Sequence, residues 1–308
     1  MARRLIRLLA LWCALVMAPA WGEGGVQLIL SEPGGAYQDL LDAFRTTLGG
    51  RKPVRVWNLS DLGADQILAM SRGDDLLVPV GAKAARFLAD YHAGRAPVLS
   101  LLLPRSSVEH LRWPAGLGKG RVSAVYIDQP PGRILNLIKT ALPAASRVGM
   151  LVAEESQATA RLMAQEAGRH RLTLLTEFVE TAEDVAPALR RLLPQCDVLL
   201  LVPDSLVINA GNAQNVLLTT YRHRIPVVGF SQGLAKAGAV ASAYSSPAQI
   251  GRQGALLALR WLVDGDDLPP TQAATEFSLA FNPRVARALG LALPDEAAAR
   301  RQLGAQNE

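Results

Sequence analysis

Short, continuous apolar runs alternate with amphipathic stretches twice along this chain, and that rhythm constrains its fold more than any motif. Residues 26–30 (Val-Gln-Leu-Ile-Leu) read as a strand and are followed at 37–48 by apolar residues at helical spacing. Strand 54–59, helix 64–70, strand 76–80, helix 83–91 and strand 98–103 continue the series. Strands that are apolar along their whole length bury both faces, so the pattern predicts a parallel sheet with helices on either side. The rhythm restarts with strands at 148–152, 172–179, 198–202 and 227–230. Between the halves it is broken by Ser106-Ser107, Trp113-Pro114, Gly116, Gly118 and Gly120. A surface excursion is expected over 105–121, before 122–127 crosses to the second half. The expected architecture is two α/β lobes with a cleft between them, and clefts at domain interfaces are preferred ligand sites.

The amino terminus joins a basic start (Arg3, Arg4, Arg7) to an apolar run at 8–17 and the small residues of Ala18-Pro19-Ala20. This is the three-part pattern of a secretory signal peptide, residues 1–20, cut after Ala20. The apolar run is shorter than the roughly 20 residues a spanning helix needs. Cys13 lies inside it, after Leu11-Trp12 rather than a small residue, so a lipid anchor is not expected. The expected location is the periplasm. Export removes three positive charges from the formal +5, leaving about +2 and no basic patch interleaved with aromatics. Nucleic acid is therefore not an expected partner. Cys196 remains as the single thiol, unable to form an internal disulfide and read as a structural cysteine.

Enzymatic signatures are missing. The sequence has no Gly-x-Ser-x-Gly, no His-Glu-x-x-His and no Gly-x-x-x-x-Gly-Lys-Ser/Thr. His92, His110, His170 and His223 are expected to be exposed structural residues, with no metal or cofactor to hold. The Ala-, Arg- and Gln-rich tail at 295–308 is expected to fray.

Asp-Ser-Leu-Val-Ile-Asn at 204–209 and Leu-Leu-Thr-Thr-Tyr-Arg-His-Arg-Ile-Pro-Val-Val-Gly-Phe-Ser at 217–231 resemble the ABC-transporter substrate-binding family of the tryptophan-binding type. Residues 243–253 resemble the segment in which type I periplasmic binding proteins return to their first lobe, and 125–131 resemble their first interlobe crossing. The likeness runs in order over nearly the whole mature chain. It implies two Rossmann-like lobes, residues 21–126 with 246–270 and residues 127–245 with 271–294, joined by three crossings. It further implies hinge closure on a small molecule, amino-acid-like or aromatic, and its delivery by a monomeric protein to a membrane ABC permease. A ligand sensor that signals to a membrane partner, or a hydrolase on the same scaffold, are the other readings.

In open parallel sheets, ligands sit beyond the carboxyl ends of the strands. Ser31, Gly35 and Ala36 follow the first strand and suit either close ligand approach or an ordinary helix cap. Gly81 and Ala82 follow the third. Relatives that bind amino acids often carry a hydroxyl at the position of Ala82, and its loss leaves backbone amides, with Lys83 read as a solvated lysine. Asp204 is where the resemblance places a ligand-binding acid, with helix capping as the competing role, and Asn209 is a second polar candidate. Phe230, which ends the strand at 227–230, suits stacking on a planar ligand or core packing, Ser231 suits a hydrogen bond to it, and Tyr126 and Tyr244 lie at crossings, where they line the cleft or pack the hinge. Glu154-Glu155-Ser156, after the strand at 148–152, could meet a cationic group, but adjacent carboxylates normally face water and a solvated acidic loop is the expected reading.

Overall fold

The computed structural model describes residues 24–118, 120–265 and 267–305. The expected signal peptide, residues 1–20, lies outside the described residues. Among the described residues, twelve strands form two six-stranded sheets. The first contains β1 (Val26–Leu30), β2 (Val54–Asn58), β3 (Leu76–Val80), β4 (Val98–Leu103), β5 (Val122–Tyr126) and the two-residue β11 (Gln272–Ala273), in the order β11-β5-β4-β3-β1-β2. The second contains β6 (Arg147–Val152), β7 (Thr173–Phe178), β8 (Val198–Leu200), β9 (Val227–Gly229), β10 (Ala241–Tyr244) and β12 (Ser278–Phe281), in the order β12-β10-β9-β8-β6-β7. Every pairing is parallel except that of β10 with β12.

The α/β rhythm therefore describes the fold. β1 and β3 are buried from end to end, as central strands under helices on both faces must be. Gln27 is tolerated inside because both ends of its amide are matched. It donates to Asp75 Oδ2 at 2.6 Å and accepts from Trp57 Nε1 at 2.7 Å. β2 and β7, at the open edges, are partly exposed along their length.

The chain returns to the first lobe through the helix Pro247–Leu259, which lies against the helix Gly35–Leu48. Gly251 and Gly254 make that seat possible. A side chain at Gly251 would strike the Leu40 carbonyl, and one at Gly254 would stand 2.5 Å from Leu101 Cδ1.

Three expectations change. Residues 272–273 belong to the first sheet, and the buried Leu268 and Ala274 flank them in the first-lobe core. The third crossing thus falls at 274–277 rather than at 270/271. Residues 105–121 do not run wholly over the surface, since they open with the helix Arg105–His110 and bury Ser106. The tail forms the helix Glu296–Ala305, whose Ala299 and Leu303 are buried in the second-lobe core. An Ala-rich helix with two apolar contacts on a preformed surface gains tertiary packing that its composition does not advertise.

Candidate functional site

The carboxyl ends of both sheets and the three crossings (127–130, 245–246 and 274–277) delimit the candidate site. A hydrogen-bonded chain ties the crossings together. Arg133 Nη1 donates to Gln129 Oε1 at 2.7 Å, and Gln129 Nε2 donates to Ser245 Oγ at 3.0 Å. Ser245 Oγ donates to the Glu276 carbonyl at 2.6 Å. Gln129, Arg133 and Ser245 are all buried. The Arg133 guanidinium lies 4.2 Å from the centroid of the Phe277 ring, and burial lowers its affinity for its proton. Asp128, at the first crossing, accepts the Arg105 N–H at 2.7 Å. Burial pushes its carboxyl up to about 6, against the pull of that N–H and of the Arg105 guanidinium.

The first-lobe rim is built from short polar turns. Ser31 Oγ donates to the Val80 carbonyl at 2.7 Å and accepts the Ala84 N–H at 2.9 Å, joining the loop after β1 to the helix Ala82–Tyr91. Gly81 is required beside it, because φ is +89° and a Cβ there would stand 2.6 Å from Ser31 Oγ. Gly35, Ala36 and Ala82 are exposed. Lys83 is exposed as expected and pairs with Glu32 at 2.6 Å. Tyr37, which the sequence reading passed over, is half-buried next to Gly81, and burial raises its hydroxyl pKa.

On the second lobe Asp204 is 3% exposed and faces inward. Its Oδ1 accepts the N–H groups of Leu206 (3.0 Å) and Val207 (3.1 Å), and Oδ2 accepts that of Ala153 (3.3 Å). This is the capping geometry, with the carboxylate tying the β8 end to the β6 end. Asn209 plays a similar part. It accepts from Gly211 and Asn212 N–H and donates to the Ser205 carbonyl. Ser231 accepts the Leu234 N–H at 3.1 Å as a helix cap, and Phe230 packs on the second-lobe core. Tyr126 and Tyr244 are partly exposed at the ends of β5 and β10, where burial raises both hydroxyls. The Arg105 guanidinium lies 6.0 Å from the Tyr126 ring centroid.

Ser106 was missed, and Glu155 was expected to face water. The 154–156 loop is not simply solvated: Ser156 is buried, while Glu155 accepts Ser205 N–H (3.0 Å) and O–H (2.8 Å) on Oε2. Its Oε1 accepts Ser106 Oγ of the first lobe at 3.2 Å. The rule that ligands sit at strand ends would have found both, since they follow β6 and β4.

His92 also departs from expectation. It is buried against the Ala96 carbonyl, at 2.9 Å from Nε2, and burial lowers its pKa. Cys196 is buried, and burial pushes its thiol up to about 11, so it behaves as core. Among the described residues there is no cluster of His, Cys, Asp and Glu able to hold a metal, and no helix long and apolar enough to cross a membrane.

Residues 63–302 match the family model of the ABC transporter substrate binding protein. The chain belongs to that family. Its substrate-binding role fits a pair of α/β lobes joined by hydrogen-bonded crossings. Among solved structures, this substrate-binding protein is similar to an ABC domain from Streptococcus pneumonia in complex with L-Trp. The TM-score is 0.65 at 18% identity over 89% of this chain and 97% of that one. It is also similar to a ligand-free, open substrate-binding protein with adhesive properties from Clostridium difficile, with TM-score 0.69 at 18% identity over 88% and 96%. A conserved domain protein from Vibrio cholerae gives TM-score 0.64 at 18% identity over 90% and 98%. These likenesses establish the type I periplasmic binding protein fold. No curated protein sequence matches the chain.

Proposed function

We propose that this substrate-binding protein captures an amino-acid-like or aromatic solute between its lobes and closes on it by bending at the three crossings. The closed, monomeric form is then presented in the periplasm to a membrane ABC permease. The observation that carries this reading is the Arg133–Gln129–Ser245–Glu276 chain, which links all three crossings through one buried set of hydrogen bonds. Strands fixed to one another in this way let the lobes rotate as units while each crossing bends by a little. Ligand that touches both lobes then favours the closed form in proportion to its extra contacts there.

The ligand class is taken from the L-Trp complex of the Streptococcus pneumonia neighbour and from half-exposed aromatics at the site, Tyr37, Tyr126 and Tyr244. Ala82 supplies no hydroxyl, so a ligand carboxylate would rely on backbone amides at the first-lobe rim. Capture and release need no covalent step, and no residue is assigned a catalytic role.

A thermal-shift screen of the mature protein, refolded once to strip carried-over ligand, tests the reading. Ligand at a hundredfold excess over Kd adds about 2.7 kcal/mol. That moves the melting point by about 5–10 °C for a chain of this size. A single chemical class of stabilising metabolites is the expected outcome. Stabilisation by none of a library of amino acids, sugars, nucleosides and small chelates would turn the reading toward a receptor whose ligand is another protein.

A further inference from the structure

We propose that Glu155 selects the ligand, and that what it selects is a protonated nitrogen. This rests on the solute-binding reading of the cleft. Glu155 follows β6 and is locked in the second lobe by Ser205, whose N–H and O–H both bind Oε2 at 3.0 and 2.8 Å. The other oxygen, Oε1, is reached from the first lobe by Ser106 Oγ at 3.2 Å. That is long for a hydroxyl–carboxylate bond, which settles nearer 2.5–2.7 Å. One carboxylate oxygen is thus fixed and the other is loosely held, in the seam between the lobes.

Among the described residues no cation pairs with it. The two first-lobe cations at the rim have acids of their own. Lys83 pairs with Glu32 at 2.6 Å and Arg105 with Glu109 at 2.7 Å. Asp204, the neighbouring acid, is buried and accepts three backbone N–H groups. Glu155 is thus an acid in the seam between the lobes with one oxygen held only by the long Ser106 contact.

An ammonium or other protonated amine placed at Oε1 forms a charge-assisted bond, stronger than the long hydroxyl contact it displaces. Ser106, released as a donor, turns its oxygen to accept a second N–H from the same group. One nitrogen then touches both lobes, which couples its recognition to closure. Neutral polyols and acids without nitrogen lack this donor charge. The inferred ligand class is small molecules with a primary or secondary amine, amino acids included.

The test is a binding panel of L-amino acids, their decarboxylated amines and their des-amino acids, titrated calorimetrically against wild type, Glu155→Gln and Ser106→Ala. Glu155→Gln keeps the shape and an acceptor for Ser205. The amino acids or amines are expected to bind wild type, and their des-amino partners at least tenfold more weakly. Glu155→Gln is expected to lose tenfold or more for the amine-bearing compounds, and Ser106→Ala a smaller factor. Des-amino acids that bind as tightly as their parents, or unchanged affinity in Glu155→Gln, overturn the assignment. The wild-type comparison stands even if a variant does not fold. If nothing in the panel binds, the amine assignment falls, whereas hits among neutral polyols would preserve the solute-binding reading. Silence from both sets removes both.

Discussion

The two rims of the cleft are made differently. On the first lobe the residues after β1 and β3 are largely exposed. Gly34 and Gly35 take φ of +78° and +51°, and the charges at the edge are the solvated pair Lys83–Glu32. On the second lobe the residues after β6 and β8 turn inward, with Ser156 at 1% and Asp204 at 3% exposure, and every oxygen of Asp204 is bonded to backbone. The first rim presents backbone that few side chains fix. The second presents acceptors whose positions are set by buried hydrogen bonds. A ligand's shape is accommodated more easily by the former and its polar groups are ordered more firmly by the latter.

The largest expected effect comes from removing the fastening of the second rim. Asp204→Ala strands the N–H groups of Leu206 and Val207 at a buried junction, while Ala153 N–H keeps Ser156 Oγ at 3.2 Å, at a cost of about 2–4 kcal/mol. The melting point should drop by about 5–15 °C. Asp204→Asn keeps an acceptor for Leu206 and Val207 but faces Ala153 N–H with a second donor, and should fall between. Thermal denaturation of the three proteins checks this. If Asp204→Ala melted like wild type and lost only ligand affinity, the contrast between the rims would fail, and Asp204 would be a ligand contact.

The contrast can be sharpened where the lobes join. Asp128, buried at the first crossing beside Arg105, Glu109 and Tyr126, titrates in the folded protein near 6 against an ordinary 3.8. The folded state therefore holds more protons than the unfolded chain between those values, and stability falls as pH rises from about 4 to about 6. The loss is at most about 3 kcal/mol. Asp197 acts in the opposite sense. Its hydrogen bonds with Arg147 and Ser146 hold it well below the usual carboxylate range, so its contribution is lost only as pH drops below about 4. Chemical denaturation of wild type and Asp128→Asn from pH 4 to 7.5 should show the slope in the former and a flatter profile in the latter. An unchanged slope would place the titrating group elsewhere.

How much of this was legible beforehand follows from what each residue answers to. The runs at 26–30 and 76–80 could be read as central strands because burial on both faces leaves a continuous apolar signature. The helix 296–305 could not, because Ala299 and Leu303 find their surface only after the second lobe has formed. The acids show the same limit. Asp204 and Glu155 both stand at strand ends, yet one turns toward three N–H groups and the other across to Ser106. That choice depends on neighbours some fifty residues away in sequence.

The smallest expected effect tests the claim that the first rim's charges are not fixed. Lys83 and Glu32 sit 2.6 Å apart with side chains 71% and 56% exposed. At such exposure the attraction is screened, and holding two long side chains in one geometry costs entropy that offsets it. The pair also raises the lysine pKa, chiefly through its bond to Glu32, in a range where no physiological pH reaches it. Lys83→Ala and Glu32→Ala should each melt within error of wild type, and raising the salt concentration should not separate them from it. A clear destabilisation in either variant would mean that the pair adds to Ser31 in clamping the loop after β1 to the helix after β3. The first rim would then be as ordered as the second, and the asymmetry of the cleft would rest on Asp204 and Glu155 alone.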